Sequence, residues 1–173
     1  MPYLAMPAKP EIQRPISNLF IVLSVIAALL LNGLPWEGVW LAMRPDFVAV
    51  VMLYWCTHKP LRVGIGLSWA VGMLADVIDA SLFGQHALAY TVLAFGGVVL
   101  HRRVQMFDLR EQTLQIFPVL LLTYVVYATI HWQVHGYIAW SYFLGCLIAT
   151  ALWIPLTLLL QALRRPRADP DKL

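Results

Sequence analysis

Six apolar runs, each close to the length of a bilayer-crossing helix and separated by short polar breaks, constrain this chain more than any other feature. A spanning helix needs ~20 mostly apolar residues, with ~17–25 usual. The first run covers about Ser17 to Leu34 and is ended by Gly33 and Pro35. The second covers about Pro45 to Thr57 and stops before Pro60; it is short unless the apolar piece from Val39 to Met43 extends it. The third covers about Leu61 to Ile78 and the fourth about Gln85 to Leu100. The fifth covers about Leu114 to Trp132, with Pro118 in its first turns, and the sixth about Gly136 to Leu163, with Pro155 as a candidate kink. Composition agrees: 61% of residues are hydrophobic and 12% charged, where soluble domains carry ~25% charged residues. A soluble fold of 173 residues has too little interior to hide so much apolar surface. The expected fold class is therefore all-α, a polytopic membrane protein of about six transmembrane helices. Residues 1–16 form an N-terminal tail, 17–163 the transmembrane domain and 164–173 a basic C-terminal tail.

Lysine and arginine set the orientation, because they are retained on the cytoplasmic side. With six spans both termini share one side, and that side receives all basic residues except Arg44. It holds eleven basic against five acidic residues, a net of +6; the other side holds Arg44 against Glu37, Asp46, Asp76 and Asp79, a net of −3. Both termini are expected to be cytoplasmic. Lys9 and Arg14 before the first run resemble a signal-peptide n-region, but the run is long and no small-x-small cleavage site follows, so it reads as a retained span. Trp36, Trp40, Trp132, Tyr137 and Trp140 are expected at the outer interface, and Tyr54, Trp55 and Trp153 near the inner one. Pairs of small residues four apart, Gly66/Ala70, Ser68/Gly72 and Gly145/Ala149, would let helices approach closely. Cys56 and Cys146 lie in apolar runs without ligand spacing and read as buried thiols. A formal charge of +3 is too small an excess to indicate nucleic acid.

Ionisable residues at membrane depth are costly, so each is a functional candidate. They gather toward the outer side. Arg44-Pro45-Asp46 opens the second helix, and Asp76 lies fourteen residues beyond Arg62 on the third, about 21 Å along a helix. Asp79 follows one turn later on the same face, and His86 begins the fourth helix. One reading is local: Pro45 and Asp46 suit a helix start, and Arg44 snorkels to the headgroups. The sharper reading is an ion pair from Arg44 to Asp76 or Asp46, joining the second and third helices at a polar pocket that opens outward.

Other patterns carry less. His131 and His135 are four apart, but no third ligand is evident, so no metal is expected. Gly64-Ile65-Gly66 follows no strand and is not a dinucleotide loop. The segment from His101 to Phe117 reads as the one sizeable cytoplasmic loop, either anchored to anionic headgroups or offered to a cytoplasmic partner. No triad, paired-carboxylate motif, P-loop or cofactor signature appears, so the expectation is a non-enzyme.

Two stretches resemble a known family. Arg44-Pro45-Asp46-Phe47-Val48, then Leu53-Tyr54-Trp55 and Lys59-Pro60-Leu61-Arg62-Val63, is similar to the Arg-Pro-Asp/Asn motif and second helix of the bacterial rod shape-determining protein MreD. Gly72-Met73-Leu74-Ala75-Asp76-Val77, then Leu82-Phe83-Gly84-Gln85-His86-Ala87-Leu88, resembles that family's Gly-x-x-x-Asp and Leu-Gly-x-x-Ala-Leu pattern. The resemblance spans nearly the whole chain in length and helix order and is most specific from Arg44 to Leu100. It implies a non-catalytic scaffold of the bacterial inner membrane, acting in cell elongation and peptidoglycan synthesis. The implied partners are MreC, directly, and MreB, a RodA-type glycosyltransferase and a penicillin-binding transpeptidase in the same assembly, together with membrane lipids. It implies structural or interaction roles for Arg44, Pro45, Asp46, Gly72, Asp76, Asp79, Gly84 and His86. The family's fold is also similar to the substrate-capture subunits of energy-coupling-factor (ECF) transporters. That likeness raises the alternative of a subunit that binds a small molecule or lipid.

Overall fold

A computed structural model describes residues 17–38, 43–137 and 141–164. Six α-helices and no strands appear among the described residues. They are α1 (Asn18–Asn32), α2 (Phe47–His58), α3 (Ile65–Ile78), α4 (Gln85–Met106), α5 (Leu109–His135) and α6 (Ser141–Arg164). Residues 1–16 and 165–173, with Lys9, Arg14, Arg165, Arg167 and Lys172, lie outside the described residues, as do Trp40 and Trp140, while Arg164, expected in the tail, ends α6.

The second helix organises the rest. Its sequence is apolar on every side, and a helix of that kind is buried on every side. Val48 through Thr57 are all buried. α1, α4 and α6 pack around it, α5 packs between α4 and α6, and α3 packs on α4. α1 shows the opposite pattern. Only Ile21, Val25, Ala28 and Asn32 are buried, one stripe facing α2, while Leu19, Val22, Leu23, Ile26 and Leu30 are exposed. α3 likewise exposes Leu67, Trp69, Leu74 and Val77. An apolar helix with an apolar outer face has lipid, not water, as its natural solvent. Leu109–Val134 and Tyr142–Leu163 are long and apolar enough to cross a membrane; α1, α2 and α3 are shorter apolar helices.

Close approach of α3 to α4 depends on Gly72. A Cβ there would fall 2.5 Å from the Ala87 Cα. Gly97 serves α4 against α2 in the same way, with Cys56 Cβ at 2.9 Å from an added Cβ. Gly66, expected at such a contact, instead faces open space. Cys56 and Cys146 are buried free thiols.

Two further expectations are corrected. The segment from His101 to Phe117 is not a loop: α4 runs to Met106 and α5 starts at Leu109. Its arginines and glutamines are good helix formers, and it is anchored inward, with Val104 and Ile116 fully buried and Gln105 Nε2 donating to the Thr57 carbonyl at 2.7 Å. Tyr54, Trp55 and Trp153 do not form an inner belt, because all three are fully buried in the core. Trp55 fills the α1–α2 contact and its Nε1 donates to Ser24 Oγ at 2.8 Å, while Trp153 packs against Tyr54.

Candidate functional site

Asp46 occupies the N-cap of α2, where four backbone N–H groups lack helical partners. Its Oδ1 accepts from the Ala49 N–H at 3.0 Å, as an N-cap aspartate should. The same carboxylate does more than cap. Asn32 Nδ2 at the end of α1 donates to Oδ1 at 3.0 Å, and Asn32 Oδ1 accepts from the Phe47 N–H. The Tyr90 hydroxyl of α4 lies 2.9 Å from both oxygens, and the Tyr127 hydroxyl of α5 donates to Oδ2 at 2.6 Å. Tyr124 closes the set by accepting the Asp46 N–H at 3.0 Å. One buried carboxylate therefore ties α1, α2, α4 and α5 together. Each of these contacts brings a group able to donate to the carboxylate.

Asp76 performs a different task. Near the end of α3, it accepts from the turn that leads into α4. Ser81 Oγ and the His86 N–H donate to Oδ1, and the Gly84 N–H donates to Oδ2 at 2.8 Å. The turn reverses sharply through Ala80 (φ 47°) and Gly84 (φ 99°), a left-handed backbone that suits glycine at the second position. His86 Nδ1 lies 2.9 Å from Asp76 Oδ1, which assigns the hydrogen to Nδ1 and turns Nε2 toward Asp79 Oδ2 at 3.7 Å.

Asp79 holds the cation. Arg44 Nη2 pairs with Asp79 Oδ2 at 2.9 Å, and Arg44 Nη1 donates to the Asn32 carbonyl at the C-terminal end of α1. An arginine there also complements the helix dipole. The expected partners, Asp76 or Asp46, are thus not the ones Arg44 takes: the turn consumes Asp76, and neutral hydroxyl and amide donors surround Asp46. Pro45 is buried just ahead of the cap.

These groups open onto a pocket of about 350 Å³. Arg44, Asp46, Asp79 and His86 line it together with Tyr124, Tyr127, Tyr142 and Gly145 of α6. A Cβ on Gly145 would meet the Tyr124 ring at 3.1 Å, so the small residue keeps that ring in place. The sequence pointed to the charged members of this site. It missed Asn32, Tyr90, Tyr124 and Tyr127, whose only signal is polar groups inside apolar runs, Tyr124 and Tyr127 at a spacing of three. Gly72 sits one turn before Asp76 and sets the distance of α4 rather than lining the pocket. His131 lies apart, its Nδ1 3.2 Å from the Tyr137 carbonyl. No group of three metal-ligating side chains occurs among the described residues.

The sequence model of the rod shape-determining protein MreD family matches residues 13–163. The chain belongs to the MreD family. A relative, the rod shape-determining protein MreD of Haemophilus influenzae, is 29% identical over 151 residues, which is 84% of this chain and 91% of that protein. No solved structure matches. Membership connects the chain with rod shape determination, and the regular structure among the described residues of this MreD-family chain is all helical.

Proposed function

We propose that the chain is a non-catalytic scaffold of the bacterial elongation complex. It sits in the inner membrane through about six spanning helices, with both termini cytoplasmic, and binds MreC. By binding MreC and the associated cell-wall synthases it regulates cell shape and peptidoglycan synthesis, in one assembly with MreB, a RodA-type glycosyltransferase and a penicillin-binding transpeptidase. The observation that carries this reading is the family match over residues 13–163. The one-sided distribution of lysine and arginine supports the orientation. A network crossing several helix ends supports a scaffold, because it fixes the shape of one face of the bundle and so presents a constant surface.

Co-purification with MreC in detergent tests the reading, comparing wild type with Asp76→Ala at matched expression. A wild-type complex that is lost or reduced in the variant is the expected result. Absence of MreC from the wild-type preparation would refute it. The pocket of about 350 Å³ favours one second reading, a subunit that captures a small molecule or lipid as ECF substrate-capture subunits do. A stoichiometric small molecule retained through purification, with no MreC, would establish that reading instead.

A further inference from the structure

Away from the polar pocket, α1 and α3 approach each other at both ends but pack little between. At one end Arg62 Nη1, in the turn before α3, donates to Asn18 Oδ1, on the first residue of α1, at 2.8 Å. At the other, a Cβ added to Gly33 would lie 3.2 Å from Ile78 Cγ2. Between these points α1 packs on α2, and α3 on α4. A groove of about 380 Å³ results, lined by Asn18, Ile21, Val22, Arg62, Val63 and Leu67. Ile21 and Val63 are buried, whereas Val22 and Leu67 are exposed. The mouth of this apolar groove is basic. Lys59 and Arg62 share the turn from α2 to α3, where the Arg62 and Val63 N–H groups both return to the Lys59 carbonyl. No acidic residue occurs in the sequence between Asp46 and Asp76. Asn18 is a neutral acceptor, so its bond fixes the guanidinium at the mouth without cancelling the charge. α3 then starts behind Gly64 with no side-chain cap, and the positive end of its dipole adds to the same field.

We infer that this groove seats one anionic phospholipid, its phosphate on Arg62 and one acyl chain between α1 and α3. A phosphate matches the forked N–H groups of a guanidinium, and a single acyl chain is thin enough to lie where two helices part. A partner's helix fits less well, because the Arg62–Asn18 bond and the Gly33–Ile78 approach close the groove at both ends. Basic charge beside an apolar channel is the complement of a lipid rather than of a soluble anion. In the orientation proposed above, the lipid belongs to the cytoplasmic leaflet. The seat requires the chain to lie in a membrane but not to bind MreC, so its failure and failure of the scaffold reading are separable.

The test titrates purified full-length protein in nonionic detergent with dioctanoyl phosphatidylglycerol, dioctanoyl phosphatidylcholine and glycerophosphoglycerol, the headgroup without chains. Lipid adducts are followed by native mass spectrometry, and stability by the melting temperature. Phosphatidylglycerol is expected to bind saturably, one per chain, and to raise the melting temperature. Phosphatidylcholine is expected to bind about tenfold more weakly, and the chainless headgroup to give no saturable shift. Arg62→Gln, which keeps a donor for Asn18, is expected to bring phosphatidylglycerol down to the level of phosphatidylcholine. Leu67→Trp fills the groove and is expected to weaken both lipids with Arg62 intact. Leu23→Trp, the same change on α1 at a position that does not line the groove, is expected to bind as wild type. Leu67 and Leu23 are both exposed, so a folding defect does not obscure the result. Equal binding of the two lipids, or a phosphatidylglycerol titration unchanged in either Arg62→Gln or Leu67→Trp, would overturn the seat and leave an unselective lipid shell. Glycerophosphoglycerol binding as tightly as the lipid would overturn it in favour of a surface anion site. Unchanged lipid binding in Leu67→Trp together with loss of co-purified MreC would overturn it in favour of a partner's helix.

Discussion

At the pocket end of the bundle one carboxylate gathers groups from four helices; at the opposite end helices are joined by single contacts, Trp55 to Ser24 and Gln105 to the Thr57 carbonyl, and other buried polar groups turn back on their own helix. Asn32, Asp46, Tyr90, Tyr124 and Tyr127 bind one another across four elements. Thr57, at the far end of α2, donates to the Leu53 and Tyr54 carbonyls of its own helix. Trp153 Nε1 and Thr157 Oγ1 on α6 are buried with no hydrogen-bond partner among the described residues. Trp153 and Tyr54 are the large side chains that pack α6 against α2 there. Packing of that kind tolerates exchange of one apolar shape for another, whereas a polar network specifies which helix ends meet and in what register. The contrast teaches that one end of the bundle is specified by a shared network, whereas the other is mostly filled and pinned by isolated bonds.

The comparison can be broken by substitution. The largest effect is expected for Asp46→Ala, which strands Tyr90, Tyr127 and Asn32 and uncaps α2 at once. A loss of about 3–5 kcal/mol is expected, the range for removing one partner of a buried charged network. It would be read as a drop in stability in detergent-denaturant titration, together with low abundance. Gly72→Ala comes next, at about 1–3 kcal/mol, because the new methyl meets backbone rather than a flexible side chain. A melting curve indistinguishable from wild type would mean that α3 and α4 can part freely.

A matched pair sharpens the contrast. Tyr127→Phe removes one hydroxyl at the specified end and is expected to cost about 1–2 kcal/mol through the lost bond to Asp46. Thr157→Val removes one hydroxyl at the filled end while keeping the shape, and is expected to lie within about 0.5 kcal/mol of wild type. Equal losses in the two variants would show that the ends do not differ. Arg44→Ala is expected to fall between them, because Asp79 and Arg44 are partly exposed and solvent screens the charge left behind.

The sequence made the helical pattern legible because length and apolarity determine it. The charged members of the site, Arg44, Asp46, Asp76, Asp79 and His86, were legible for a related reason: a charge inside an apolar run has no cheap explanation. Their pairing was not. Asp76 and Asp79 share a helix face, and which of them takes Arg44 depends on the left-handed turn from Ala80 to Gly84, which folds its N–H groups onto Asp76. The tyrosines were hidden because an aromatic residue in a membrane helix serves equally as core, belt or hydrogen-bond donor. The misplaced loop at His101 to Phe117 had another cause. Arginines mark where the hydrocarbon ends, and a helix continues past that boundary whenever its inner face still has something to pack against.

The brevity of α2 has a consequence for access. Its twelve residues advance only about 18 Å, and its N-terminus is level with Tyr127. α5 continues eight residues beyond that level to His135, about 12 Å further. The Asp46 carboxylate is therefore recessed beside a taller wall formed by α5. The depth of the site is thus a consequence of unequal helix lengths rather than of any single side chain.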